Sequence, residues 1–288
     1  MAEENRGIDL EQLRQQRIVW KARKTLGRRI RMEREGLRPV DAILHRPDFG
    51  EKLPVIFNMH GGAWIGGDAV LMETFCEKLA REIPAVVVNV NYQKADVEPF
   101  PYAMDEVVFA AKYMAAHADE YGVDPEKMAV MGHSAGAQIA AGAAMKLKEE
   151  GIRLACQALI YPCTDMRPQP GLFEMIAPML FPEKNWEHRW ASPVLASQEE
   201  LSGLAPAIFV ECGLDELKPQ GIAYARRLID AGVPVKVKEY AQALHGFLEV
   251  NRPDYPAEDP RRTPEQDAYR ADCENYLIWE LRACFAEG

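Results

Sequence analysis

The stretch Val130-Met131-Gly132-His133-Ser134-Ala135-Gly136 decides the fold. An apolar run from Met128 to Met131 leads straight into G-x-S-x-G, and a run of small residues, Ala135 to Ala144, follows it. A strand that turns into a helix within so few residues forces the central residue into a strained backbone, and glycines two positions to either side remove Cβ atoms that would collide. Ser134 is therefore expected to stand exposed at the end of a sheet. The small residues let the following helix lie close against that sheet, with its N-terminal dipole facing the serine. G-x-S-x-G by itself arises by chance in a chain of this length, so its surroundings must carry the reading.

Upstream, an apolar stretch at 54–59 runs into His60-Gly61-Gly62-Ala63-Trp64-Ile65-Gly66-Gly67. Its glycines let backbone N–H groups converge on one spot with no side chain between them. Negative charge developing on a carbonyl oxygen during acyl transfer needs such fixed donors, and losing one costs roughly 3–4 kcal/mol of barrier. Gly61 and Gly62 are the candidate donors, and Ala135 adds a third N–H from the serine turn.

Further strand-like runs occur at 40–44, 85–92, 156–161, 205–212 and 233–240, with helix-like segments at 71–82, 102–121 and 220–231. This alternation predicts an α/β fold with a mostly parallel central sheet and helices on both faces. Residues 8–34 read as one or two amphipathic helices carrying Leu10, Leu13, Ile18, Trp20 and Leu26, broken at Gly27. Residues 166–192 have no strand pattern but many large apolar groups. Both segments are expected to build a helical cap, giving one domain over 1–288 with cap elements at about 1–38 and 166–192. Trp64, Phe181, Trp186 and Trp190 are the candidate walls of an apolar substrate pocket beneath it. Residues 251–267, charged and rich in proline, read as a surface loop. The closing helix places Tyr269, Cys273, Leu277, Leu281 and Cys284 on one face.

The 288 residues carry a net charge of -10, which argues against nucleic acid as a partner, because phosphate binding needs a positive field. The basic run at 21–31 alternates with apolar residues and reads as a solvated helix face. No apolar run could cross a membrane, and the N-terminus lacks the pattern of a secretory signal, so a cytoplasmic location is expected. Six scattered cysteines, with no C-x-x-C and no Cys/His cluster, read as free thiols without a metal site. A homodimer is compatible with all of this.

A serine hydroxyl is a weak nucleophile at neutral pH and needs a base within hydrogen-bond reach, itself oriented by a carboxylate. Of six histidines, His45 precedes a turn, His117 lies in a helix and His188 in the cap. His60 and His133 belong to motifs whose backbone is the working part. Only His245, in Ala243-Leu244-His245-Gly246-Phe247, follows a late strand and completes the chain order serine, acid, histidine. For the acid, Glu211 falls inside a strand pattern and Asp230 near a helix end, leaving Asp215 and Glu216. Asp215 is the first carboxylate past its strand and has the shorter side chain. The predicted catalytic set is therefore Ser134, Asp215 and His245.

Together, His60-Gly61-Gly62-Ala63-Trp64, Gly132-His133-Ser134-Ala135-Gly136, Asp215-Glu216-Leu217 and His245-Gly246-Phe247 resemble the hormone-sensitive-lipase-like, or fold-3, branch of the α/β-hydrolases. Tyr161-Pro162, Asp165 and Ser192-Pro193-Val194-Leu195-Ala196 also match its pattern, and the likeness spans roughly residues 40–250. The resemblance implies an α/β-hydrolase fold with a cap built from N-terminal helices and an insertion. It also implies a serine hydrolase that cleaves short-chain carboxylic esters through an acyl-enzyme on Ser134, without metal or organic cofactor. Two positions depart from the pattern: Ala63 replaces the third glycine of H-G-G-G, and His133 replaces the usual aspartate before the serine. Both changes occur in relatives that resemble kynurenine formamidase, which makes a formamide or amide the alternative substrate. The same fold also includes small-molecule receptors without turnover.

Overall fold

The computed structural model describes residues 9–253, 255 and 258–287. Its strands are β1 (Arg28–Arg34), β2 (Leu37–His45), β3 (Leu53–Met59), β4 (Val86–Val90), β5 (Val123–His133), β6 (Cys156–Ile160), β7 (Ala207–Cys212) and β8 (Val235–Tyr240). Its helices are α1 (Leu10–Lys21), α2 (Glu73–Glu82), α3 (Tyr102–Ala116), α4 (Ala118–Tyr121), α5 (Ala135–Glu149), α6 (Leu172–Leu180), α7 (Gln198–Leu201), α8 (Lys218–Asp230), α9 (Phe247–Val250) and α10 (Pro264–Glu287). The strands form one sheet in the order β1-β2-β4-β3-β5-β6-β7-β8. The β1–β2 and β2–β4 pairs are antiparallel and all the others parallel.

The sheet is covered on both sides, which explains why its central strands read as unbroken apolar runs. Side chains alternate between the faces with period two. Val55, Phe57 and Met59 of β3 join one core with α3, α5 and α8, while Ile56 joins a second core with α2 and α10. In α5, the run from Ala135 to Met145 is buried, as its small residues predict for a helix pressed on a sheet.

The N-terminal reading needs correction. Residues 28–34, expected to be helical and part of the cap, form the edge strand β1, with Ile30, Met32 and Arg34 buried and the residues between them exposed. That is strand alternation, hidden in the sequence because long charged side chains fill the outward positions. Only α1 remains helical here. Leu10 and Leu13 pack against the core, whereas Ile18 and Leu26 face solvent. Residues 1–8 of the expected cap, and the side chain of Trp20, lie outside the described residues. The expected insertion at 166–192 holds one helix, α6, and otherwise turns. The expected surface loop at 251–267, of which 254, 256 and 257 lie outside the described residues, contains buried Asn251 and Arg252.

Among the described residues no helix is long and apolar enough to cross a membrane. Cys76, Cys156, Cys163, Cys212 and Cys273 are buried free thiols.

Candidate active site

β5 ends at His133 and α5 begins at Ala135, so Ser134 alone makes the turn, at φ 53° and ψ -116°. Few L-residues adopt this conformation, and it is held by contacts on every side. A Cβ on Gly132 would lie 2.1 Å from the Gly136 carbonyl oxygen, and one on Gly136 would lie 2.2 Å from that of Met59 in the neighbouring strand. The two glycines thus serve different partners: the first admits the helix, the second admits the adjacent strand. The Ser134 N–H is taken by the Ile160 carbonyl at 2.9 Å, which ties the turn to β6.

The predicted acid and base arrive on the ends of β7 and β8. Ser134 Oγ lies 2.8 Å from His245 Nε2, and His245 Nδ1 lies 2.5 Å from Asp215 Oδ2. The second Asp215 oxygen accepts the Leu217 N–H at 2.9 Å. The Asp215 side chain is 4% exposed and that of His245 33% exposed, so the carboxylate is enclosed while the imidazole still meets water. Glu216 points to solvent. Glu211 is buried inside β7, where neither oxygen has a partner among the described residues; burial, with Asp215 nearby, pushes its pKa up to about 9.

Gly61 faces the serine: a Cβ placed on it would sit 3.6 Å from Ser134 Cβ and 2.9 Å from Glu249 Oε1. The Gly62 carbonyl accepts from Ile65 and Gly66 N–H at 3.2 and 2.7 Å, so residues 62–66 close into a tight turn. Gly62, Ala63 and Trp64 all have positive φ within it, at 129°, 51° and 58°. α1 braces the loop from outside, as Arg17 donates to the Ile65 carbonyl at 3.1 Å and pairs with Asp96 at 2.7 Å. Among the described residues, no backbone or side-chain acceptor takes the N–H of Gly61, Gly62 or Ala135.

An apolar pocket opens between the glycine loop, α5 and the 166–192 segment. Trp64 and Phe181 line it, together with Phe100, Met104, Ile139 and Leu180, whereas Ser134, Asp215 and His245 do not. Gln138, one helical turn beyond Ser134, accepts the Trp64 indole N–H at 2.9 Å and donates to the Ala191 carbonyl at 2.8 Å. The two other expected wall residues do not reach this lining. Trp190 is drawn to the surface, where its indole N–H bonds Glu149 and its ring takes the Lys146 ammonium 3.9 Å from the centroid. Trp186 packs, partly buried, on the core.

Several contributors escape a motif search. Arg261 donates to the His245 carbonyl at 2.7 Å, and Gln266 accepts the Leu244 N–H at 3.0 Å, so residues beyond the histidine turn hold it. Tyr161 stands edge-on to the His245 ring at 5.0 Å and donates its hydroxyl to Glu249. The signal for Tyr161 was its place in Tyr161-Pro162. Arg261, Gln266 and Glu249 offered none, because their partners lie on other elements. His60, set aside as a catalytic candidate, donates from its ring to the Gly61 carbonyl.

A strained serine between strand and helix, with a histidine and an enclosed aspartate in line with it, has the arrangement of a serine-hydrolase site on an α/β sheet. The family model described as alpha/beta hydrolase fold matches residues 56–249, and the chain belongs to that family, in its hormone-sensitive-lipase-like branch. It is similar to esterase LipI of Mycobacterium tuberculosis, 33% identical over 70% of this chain and 68% of LipI. Carboxylic ester hydrolase LipN of the same organism is 31% identical over 72% of this chain, and the match spans 60% of the length of LipN. Among solved structures, an esterase of Pyrobaculum calidifontis superposes with a TM-score of 0.82 and 25% identity, covering 98% of this chain and 95% of that one.

Proposed function

We propose that the protein is a carboxylesterase acting on short-chain esters. The observation that carries this reading is the unbroken line from Ser134 Oγ through His245 to Asp215, at 2.8 and 2.5 Å. For Ser134 to lose its proton, His245 Nε2 must be the accepting nitrogen, so Nδ1 carries the hydrogen and donates it to Asp215. As Oγ bonds to the acyl carbon, its proton passes to Nε2 and Asp215 stabilises the resulting imidazolium. The carbonyl oxygen gains negative charge and is held by the N–H groups of Gly61, Gly62 and Ala135. Collapse of this intermediate breaks the C–O bond, and the alkoxide leaves with the proton from Nε2. Water then repeats the sequence on the acyl-enzyme, with His245 as base and Ser134 as leaving group.

In this reading α1 and residues 166–192 form the cap, and the pocket of Trp64, Phe181 and Leu180 receives the apolar part of the ester. Buried free thiols suit a reducing compartment, and we place the protein in the cytoplasm with a small-molecule ester as its partner.

The test is hydrolysis of p-nitrophenyl acetate and butyrate by the protein and by Ser134→Ala, with N-formylanilides in the same panel. The variant should lose about 10⁴-fold or more in turnover. Equal rates would reject the reading, and faster turnover of formamides than esters would move the substrate class to amides.

A further inference from the structure

Behind the glycine loop lies a second line of hydrogen bonds that the proposed reaction steps do not use. The His60 ring is fully buried and stacks on Tyr92 with centroids 4.4 Å apart. Its Nδ1 lies 2.6 Å from the Gly61 carbonyl oxygen, and its Nε2 lies 2.9 Å from Lys94 Nζ. A carbonyl oxygen can only accept, so Nδ1 carries the hydrogen. Burial first, then the charge of Lys94, hold the imidazole well below its ordinary pKa, which keeps the ring neutral and makes Nε2 the acceptor. Lys94 also donates to the Tyr92 carbonyl at 2.9 Å, with Asn91 Oδ1 at 3.5 Å.

We propose that Lys94 is a positioning residue for the oxyanion loop: by donating to His60 Nε2 it selects the tautomer whose Nδ1–H holds the Gly61 carbonyl. In a trans peptide the C=O and the next N–H point in opposite directions. Fixing the Gly61 oxygen toward the buried ring therefore turns the Gly62 N–H away from it, as an oxyanion donor requires. Without Lys94, His60 could place its hydrogen on Nε2, and the Gly61–Gly62 peptide would lose its anchor. The inference rests on the esterase reading of the site.

A buried lysine is costly, and an apolar side chain of similar length would fill the space more cheaply. Among the described residues no carboxylate bonds the ammonium directly. Asp68 reaches it through Asn91, Glu106 binds the neighbouring Gln93 N–H, and Arg17 and Lys21 oppose its charge. Burial lowers the Lys94 pKa to about 7. The ammonium can only donate, which makes His60 Nε2 its acceptor, and its other hydrogens face the Tyr92 carbonyl and Asn91 Oδ1.

Lys94→Met in the full chain tests this. The kcat for p-nitrophenyl acetate should fall about tenfold or more, as expected when one oxyanion donor is misdirected, with KM within about twofold. The Tm should hold or rise. Nitrogen-15 spectra of histidine-labelled protein should show His60 moving from the Nδ1–H form toward Nε2–H. In a His60→Phe background, which keeps the stack on Tyr92, Lys94→Met should cause no further loss. An unchanged kcat, an unchanged tautomer, or equal losses in both backgrounds would overturn the proposal. If the unmodified protein lacked Ser134-dependent turnover, the esterase reading would fail, while the tautomer measurement would still decide the role of Lys94.

Discussion

His245 and His133 flank the same serine and have opposite characters. His245 is 111 residues away in sequence, yet its ring lies between a hydroxyl and a carboxylate and remains one-third exposed. His133 is the immediate neighbour of Ser134, but strand alternation turns its side chain away from the site. There it is fully buried, with Nε2 3.1 Å from Asn58 Oδ1 and Nδ1 unpartnered among the described residues. Burial lowers its pKa to about 4, so at neutral pH the ring is neutral, with its Nε2–H held by Asn58 and no second proton taken up. A histidine becomes a proton carrier through an enclosed carboxylate and access to water. Proximity along the chain supplies neither.

Breaking the His245 side of this contrast has the largest expected effect. Asp215→Asn keeps the shape but offers N–H where His245 Nδ1 needs an acceptor, so kcat should drop by about 10⁴-fold while Ser134 stays in place. Steady-state kinetics on a p-nitrophenyl ester reads this directly, and a loss below tenfold would mean that another group orients the imidazole.

The His133 side is sharpened by acid. In the unfolded chain a histidine takes up a proton near pH 6.5, whereas buried His133 does so only near pH 4. Its depressed folded pKa means stability is full above 6.5 and is lost as pH falls toward 4, by about 3 kcal/mol. His133→Gln keeps a donor for Asn58 and removes the titration. Urea unfolding at pH 7 and pH 4.5 should show a smaller acid loss for the variant than for the parent.

Glu211 supplies the reverse sign and the smallest change. Its folded pKa is raised from 4.5 to about 9, so the stability linked to its proton is full below 4.5 and is lost as pH rises through 9. Glu211→Gln should raise the Tm by several degrees at pH 8, a gain of about 2 kcal/mol or less after the orphaned amide is counted, and give no gain at pH 4.5. Thermal scans at the two values check it.

The serine turn, the glycine loop, Asp215 and His245 were legible because each is a local pattern placed just beyond a strand; chain order then singles out the histidine, and the shorter side chain nearer the strand favours Asp215 over Glu216. β1 was not legible, because its inward residues Ile30 and Met32 are outnumbered by charged neighbours and the period-two signal is short. Trp190 was misplaced for a different reason. An aromatic residue in an apolar segment looks like a pocket wall, but its indole N–H and ring found Glu149 and Lys146, which lie on α5 more than 40 residues away. Lys94 and Arg261 belong to the same class: a lone charged residue carries no pattern, and its meaning depends wholly on what the fold sets against it.

The clamp on the histidine turn bears on when this molecule can first act. Arg261 and Gln266, which grip residues 244–245, emerge from the ribosome only after both the nucleophile and the base have been made. A growing polypeptide therefore carries its reactive hydroxyl unaccompanied for more than a hundred residues of synthesis. The histidine turn is held as it stands here only once residues 261–266 have folded back on it.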